Sequence, residues 1–130
     1  MTFDAIGIAG TALTVHRKWL DAAADNLANI NTAKPTSGPA FQARYVQAVE
    51  GAGNTGVYVG GTALGAAEGR LVHDPANPLA DAQGYVRMPD IDLGAQMGSL
   101  IMAQRGYQAN AGVVDRAKTA YEAALQIGKS

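Results

Sequence analysis

The chain has 130 residues and a formal net charge of -1, and it contains no cysteine; 16% of its residues are charged and 16 are glycine. This length suits a single domain, and the near-neutral charge gives no electrostatic basis for binding nucleic acid or an anionic membrane. The lack of cysteine excludes disulfides and thiolate metal sites, and no apolar run approaches the roughly 18 residues of a membrane span.

The N-terminal segment carries an apolar heptad repeat. Ile6, Leu13, Leu20 and Leu27 recur at intervals of seven, and we call them the leucine seam. No proline interrupts this segment, so the spacing predicts one long helix over residues 4–29, ended by the asparagines before the first proline. The opening residues lack a basic leader followed by an apolar stretch, so we expect no cleavable signal peptide.

The last third of the chain repeats this pattern. Apolar residues again recur every seven positions, with a second apolar series interleaved between them, and this predicts a second long helix. Asp90 or Asp92 can cap its N-terminus and Gly128 can close its C-terminus. Gln104 and Lys118 interrupt the second series. The apolar residues of the two series are Leu93, Met97, Leu100, Tyr107, Ala111, Val114, Tyr121 and Leu125.

The segment between the helices holds most of the glycine and all five prolines. Its short β-prone runs are separated by turn-forming residues and offer little apolar surface, so we expect a small Gly/Pro-rich β-hairpin or an extended loop. The predicted fold is therefore mainly α, with long N- and C-terminal helices packed as an antiparallel coiled-coil-like pair. The predicted division is residues 1–32 and 90–130 as the helical core, with residues 33–89 as the loop and short β region.

Nothing in the sequence predicts an active site. Residues 51–56 match the pattern G-x-G-x-x-G, but a β-branched and aromatic run follows instead of the helix that a dinucleotide site needs, so a turn is the expected structure. His16 and His73 are the only histidines, and neither has a second histidine near it in sequence. We therefore predict no catalytic residue, no metal site and no cofactor, and hence no enzyme.

Several short motifs resemble those of the bacterial flagellar rod and hook proteins. Residues 25–32, DNLANINT, resemble the D/S-N-x-A-N-x-x-T signature at the end of that family's N-terminal helix, through Asn26, Asn29 and Thr32. Residues 103–110, AQRGYQAN, resemble the A-x-R-x-Y-x-A-N of its C-terminal helix, through Arg105 and Asn110. Residues 74–91 resemble the linker of the proximal rod type, and the short middle segment also suits that type.

The resemblance implies a structural subunit of the flagellar basal-body rod that polymerises helically and transmits motor torque. It also implies export in the unfolded state, a location in the rod within the periplasm, and no membrane insertion. The implied partners are further copies, other rod proteins, and the adjoining basal-body ring and export-gate components. In this reading the apolar residues of the two heptad repeats pack between subunits. Two alternatives remain open: a soluble helical-hairpin adaptor or chaperone, and a small enzyme that uses the loop at residues 51–56.

Overall fold

The computed structural model describes residues 2–129. Both predicted helices are present, and four strands lie between them. In chain order the elements are α1 (Thr2–Ala28), β1 (Arg44–Glu50), a 3-10 turn (Ala52–Asn54), β2 (Val57–Leu64), β3 (Arg70–His73), β4 (Tyr85–Met88) and α2 (Leu93–Ile127).

The predicted mainly α fold, with only a hairpin or loop between the helices, is wrong. Strands make up 19% of the chain against 50% helix, and they form two antiparallel sheets, β1–β2 and β3–β4. Burial alternates along β2, whose every second residue is half-buried. The β1–β2 sheet therefore buries only one of its faces, which carries small residues such as Gly61 and Ala63. The low apolar content of residues 33–89 reflects this one-sided packing and not a lack of order.

The two helices pack against each other in an antiparallel arrangement. Near the end of α1, Asn26 Nδ2 donates to Gln96 Oε1 at 3.2 Å, close to the start of α2. Ten residues back along α1, the His16 ring fills the space that a side chain at Gly106 would occupy, ten residues further along α2. The start of α2 is capped by Asp92, whose carboxylate accepts from the Ala95 N–H at 2.6 Å.

The β1–β2 hairpin crosses a second side of α1. At its base Arg44 is bound to the end of α1, and near its tip the Val57 N–H donates to Thr11 Oγ1 at 3.1 Å. The connection between the two strands is the G-x-G-x-x-G segment, which forms a turn as predicted. Gly56 in this turn has φ +126°, and a Cβ there would overlap the Thr11 side chain, so the turn requires glycine.

The β3–β4 sheet is extended by the chain that leaves α1. Lys34 and Arg87 exchange two backbone hydrogen bonds of 2.8 Å, so this segment pairs with β4. Val86 in β4 is fully buried. At Gly69 the backbone has φ +55°, and a Cβ would overlap the Met88 carbonyl, which explains glycine at the entry to β3.

Candidate assembly surface

A buried polar cluster joins the end of α1, the start of β1 and the first turns of α2. Its centre is Asn26, which is 1% exposed. The Asn26 side chain accepts from the Arg44 N–H at 2.8 Å and donates to the Arg44 carbonyl at 2.9 Å, as a neighbouring strand would. Its amide also donates to Gln96, which is itself 4% exposed. The Asn26 side chain thus satisfies the backbone N–H and C=O groups of Arg44 and connects the start of β1 to both helices.

The rest of the N-terminal motif closes α1 beside this centre. Asn29 Nδ2 donates to the Asp25 carbonyl at 2.8 Å, and Thr32 Oγ1 donates to Asn29 Oδ1 at 3.1 Å. The Asp25 carboxylate pairs with the Arg44 guanidinium on the partly exposed rim. We call these six residues the polar junction: Asp25, Asn26, Asn29, Thr32, Arg44 and Gln96. The structure thus brings together three predicted motif residues, Asn26, Asn29 and Thr32.

Small residues form the buried face of the helix pair. The buried apolar residues of α1 are Ala9, Ala12, Val15, Ala22 and Ala23, and in α2 Ala103 is completely buried. By contrast, every residue of the leucine seam is only half-buried. Alanine lets two backbones approach closely, so the helices meet along these small residues, with the leucines to one side.

The leucine seam and the apolar flank of α2 lie on one side of the helix pair. Successive residues of a helix are rotated by about 100° about its axis. Measured in this way on α1, the leucine seam is rotated about 80° from the residues that face α2. The residues that face the hairpin are rotated about 105° in the opposite direction. On α2 the flank formed by Leu93, Met97, Leu100, Ile101 and Tyr107 is centred about 90° from Ala103. Because the helices are antiparallel, both rotations point away from the hairpin. We call this surface the open apolar face.

The open apolar face is accessible along α2. The exposed fraction is 58% for Leu93, 44% for Met97 and 45% for Ile101, which follow one another by one helical turn. Monomeric proteins rarely expose such contiguous apolar side chains. Of the predicted packing residues, Met97, Tyr107 and Leu125 are exposed, and the others are half-buried, namely Ile6, Leu13, Leu20, Leu27, Leu100, Val114 and Tyr121.

The C-terminal motif residues do not join the polar junction. Arg105 is exposed, and Asn110 Nδ2 donates to the Gly106 carbonyl one turn back at 2.8 Å. Sequence reasoning missed Gln96 and Ile101. Gln96 begins a series with Ala103 and Asn110 at intervals of seven, which could have revealed the α1-facing side of α2, and Ile101 lies in the uncharged run of residues 93–104.

The turn before β4 is ordered by one carboxylate. Asp81 accepts from the backbone N–H groups of Tyr85 at 2.9 Å and Gln83 at 3.0 Å, and from the Thr36 hydroxyl at 2.9 Å. The hydrogen bond from Tyr85 is the main cause that lowers the pKa of Asp81, because these donors favour the ionised form. Asp81 therefore attaches the segment after α1 to the second sheet.

The potential metal ligands of the described residues are dispersed. Among residues 2–129, no three histidine, aspartate or glutamate side chains come together as a metal-binding group. In the same part of the chain, neither helix is long and apolar enough to cross a membrane. His16 lies at the helix interface and His73 stacks edge-on with Tyr85, whose ring centre is 5.0 Å away.

Comparison with known proteins identifies the class of this chain. Residues 82–127 match the family described as flagellar basal body rod FlgEFG protein C-terminal. It is 39% identical to the flagellar basal-body rod protein FlgC of Escherichia coli O6:H1 and 38% identical to that of Salmonella typhimurium, over 94% of each chain. It is 33% identical to FlgC of Aquifex aeolicus over 98% of this chain and 97% of the relative. The chain belongs to the FlgC family of flagellar basal-body rod proteins, which confirms the resemblance seen in the sequence.

Proposed function

We propose that this chain is a structural, non-enzymatic subunit of the flagellar basal-body rod that polymerises helically and transmits motor torque. Nearly full-length similarity to FlgC proteins supports the rod location. The observation that carries the polymerisation is the open apolar face, because an isolated subunit leaves Leu93, Met97 and Ile101 in contact with water.

Burial of this face supplies a driving force of suitable size. Covering a side chain such as Met97 or Ile101 completely contributes about 1.5–3 kcal/mol relative to full exposure, so burying the remaining exposed half contributes about 1 kcal/mol per residue. Several such residues per subunit, repeated in every copy, favour a polymer over free subunits. The half-buried leucine seam borders the same face, so we propose that helices of neighbouring subunits cover both.

The finer parts of the proposal concern partners and location. We propose that the partners are further copies, other rod proteins, and the ring and export-gate components next to the rod. We also propose that the chain is exported unfolded, without a cleavable signal peptide, and assembles in the periplasm. In this assembly residues 1–32 and 90–130 form the helical core, and residues 33–89 lie outside it.

A matched pair of methionine substitutions tests the proposal. Met97 lies on the open apolar face, whereas Met102, which is 62% exposed, lies on the opposite side of α2. Met97→Asp and Met102→Asp are each expressed in a strain lacking its own copy of the gene, and motility and recovery of intact basal bodies are measured. We expect Met97→Asp to abolish both, because a carboxylate then enters each subunit contact, and Met102→Asp to retain them.

Two measurements separate failed assembly from a failed subunit. Circular dichroism of each purified variant reports whether the helices remain, and immunodetection reports the exported protein. Motile cells carrying Met97→Asp would refute the assignment of the open apolar face. Equal loss of basal bodies in both variants would show that the two sides of α2 contribute alike, contrary to the proposal.

A further inference from the structure

The residues at the interface between α1 and α2 repeat every seven positions, and this repeat alone does not fix the alignment of one helix along the other, which we call the register. On α1, Asn26, Trp19 and Ala12 recur at intervals of seven, and on α2, Gln96, Ala103 and Asn110 do the same. Counting from the Asn26–Gln96 contact places Trp19 opposite Ala103 and Ala12 opposite Asn110. Sliding α2 by one heptad, about 10 Å, would again place a seven-residue repeat opposite a seven-residue repeat.

Two contacts distinguish the observed register from the slipped one. The buried amides of Asn26 and Gln96 bind each other at 3.2 Å, and the His16 ring occupies the space left by Gly106. After a slip of one heptad, Asn26 would lie opposite Ala103, which cannot bind an amide. His16 would meet Val113, whose side chain fills the space that a glycine leaves open.

We propose that the Asn26–Gln96 and His16–Gly106 pairs act as register determinants of the helix pair. A buried polar pair contributes less to stability than to the choice of one alignment, because another alignment breaks the bond between Asn26 and Gln96 and leaves the buried Gln96 amide without this partner. The His16 ring opposite Gly106 selects the same alignment by its shape. The two bonds between Asn26 and Arg44 carry this alignment to the hairpin, so one register positions all three elements.

Engineered cysteine pairs report the register directly, because the natural chain contains no cysteine. Counting along both helices from the Asn26–Gln96 and His16–Gly106 contacts places Ala5 opposite Ala117, and opposite Ala124 after a slip of one heptad. The full-length chain is made with Ala5→Cys and Ala117→Cys, or with Ala5→Cys and Ala124→Cys. After oxidation, non-reducing electrophoresis measures the fraction of monomer with an internal disulfide. We expect the first pair to cross-link at least tenfold faster than the second.

The determinants are then removed by combining Gln96→Leu with His16→Ala. We expect the preference between the two cysteine pairs to fall at least tenfold, with the helical circular dichroism signal retained. The milder Gln96→Met variant, which keeps His16, is expected to give an intermediate preference. The control combines Gln108→Leu with Arg17→Ala, both at exposed positions, and keeps the original preference.

Each alternative result overturns the proposal. An unchanged preference with retained helix would show that other contacts set the register. Loss of the helical signal, or loss of both cross-links, would show that the two pairs supply stability and not alignment.

Discussion

Replacing Asn26 with aspartate tests the centre of the polar junction with almost no change in shape. The amide Nδ2 donates to the Arg44 carbonyl at 2.9 Å and to Gln96 Oε1 at 3.2 Å. An ionised aspartate cannot donate, so an oxygen would face the Arg44 carbonyl at the same position. Leaving one buried acceptor unsatisfied costs about 1–3 kcal/mol, and burying the charge adds to this. We expect the free energy of unfolding to fall by about 3 kcal/mol at pH 7, which lowers the Tm by about 10 °C.

This loss should depend on pH in a defined direction. A protonated carboxyl group can donate one hydrogen bond and therefore restores part of the contact. In the unfolded chain an aspartate ionises near pH 3.9, whereas the buried site disfavours the charged form. The stability deficit of Asn26→Asp relative to the natural chain is therefore smallest below about pH 4 and grows as the pH rises. Trp19 is the only tryptophan and lies in α1, so its fluorescence can follow urea unfolding at each pH.

The control for this substitution is Asn31→Asp, since Asn31 is exposed just beyond α1. Its effect is expected to stay within about 0.5 kcal/mol at every pH. If the two variants lose equal stability, or if the deficit of Asn26→Asp does not grow with pH, the reasoning about the junction is refuted.

Three further predictions concern the helix interface and the second sheet. Gly106→Ala should lower the free energy of unfolding by about 1–2 kcal/mol in urea titrations, because the added methyl group overlaps the His16 ring. Adding His16→Ala should restore at least half of the lost free energy, and no restoration would contradict the contact. Gly69→Ala should lower the Tm clearly, because φ is +55° and the methyl group overlaps the Met88 carbonyl, whereas Gly38→Ala, with open space around it, should change the Tm little. Because the pKa of Asp81 is lowered in the folded chain, its ionised carboxylate stabilises the fold above pH 3.8, and this contribution is lost as the pH falls through the lower folded value. Asp81→Asn should therefore flatten the acid side of a Tm-against-pH curve, and a curve parallel to that of the natural chain would count against this reasoning.

The helices were predictable because their periodicity extends over many turns. The leucine seam identified α1, and Asp92, one of the two aspartates proposed as a cap of α2, is the one that caps it. The face that α1 buries against α2 was harder to predict, since alanines such as Ala12 and Ala23 carry little hydrophobic signal. A seam of leucines favours a coiled-coil interpretation, but close packing selects the small residues, and the leucines remain half-buried.

The sheets and the polar junction depend on contacts between distant parts of the chain. The β1–β2 sheet gains its inner contacts from α1, and its exposed residues resemble those of a loop in sequence. The Asn26 motif was recognised by resemblance, but its role requires Arg44 and Gln96, which lie 18 and 70 residues further along. No local pattern links these three residues.

The order of the elements along the chain also determines when the protein can fold. α1 comes first, but the helix that covers its alanine face comes last, and their shared hydrogen bond closes a loop of 70 residues. Most of the stability of a helix in a protein comes from packing of its buried face, which α1 lacks until α2 is present, and closing so long a loop is slow. A chain that passes lengthwise through a narrow channel therefore stays without its core until the final 35-residue helix emerges. In the export route proposed above, the late position of α2 would delay folding until transport is almost complete.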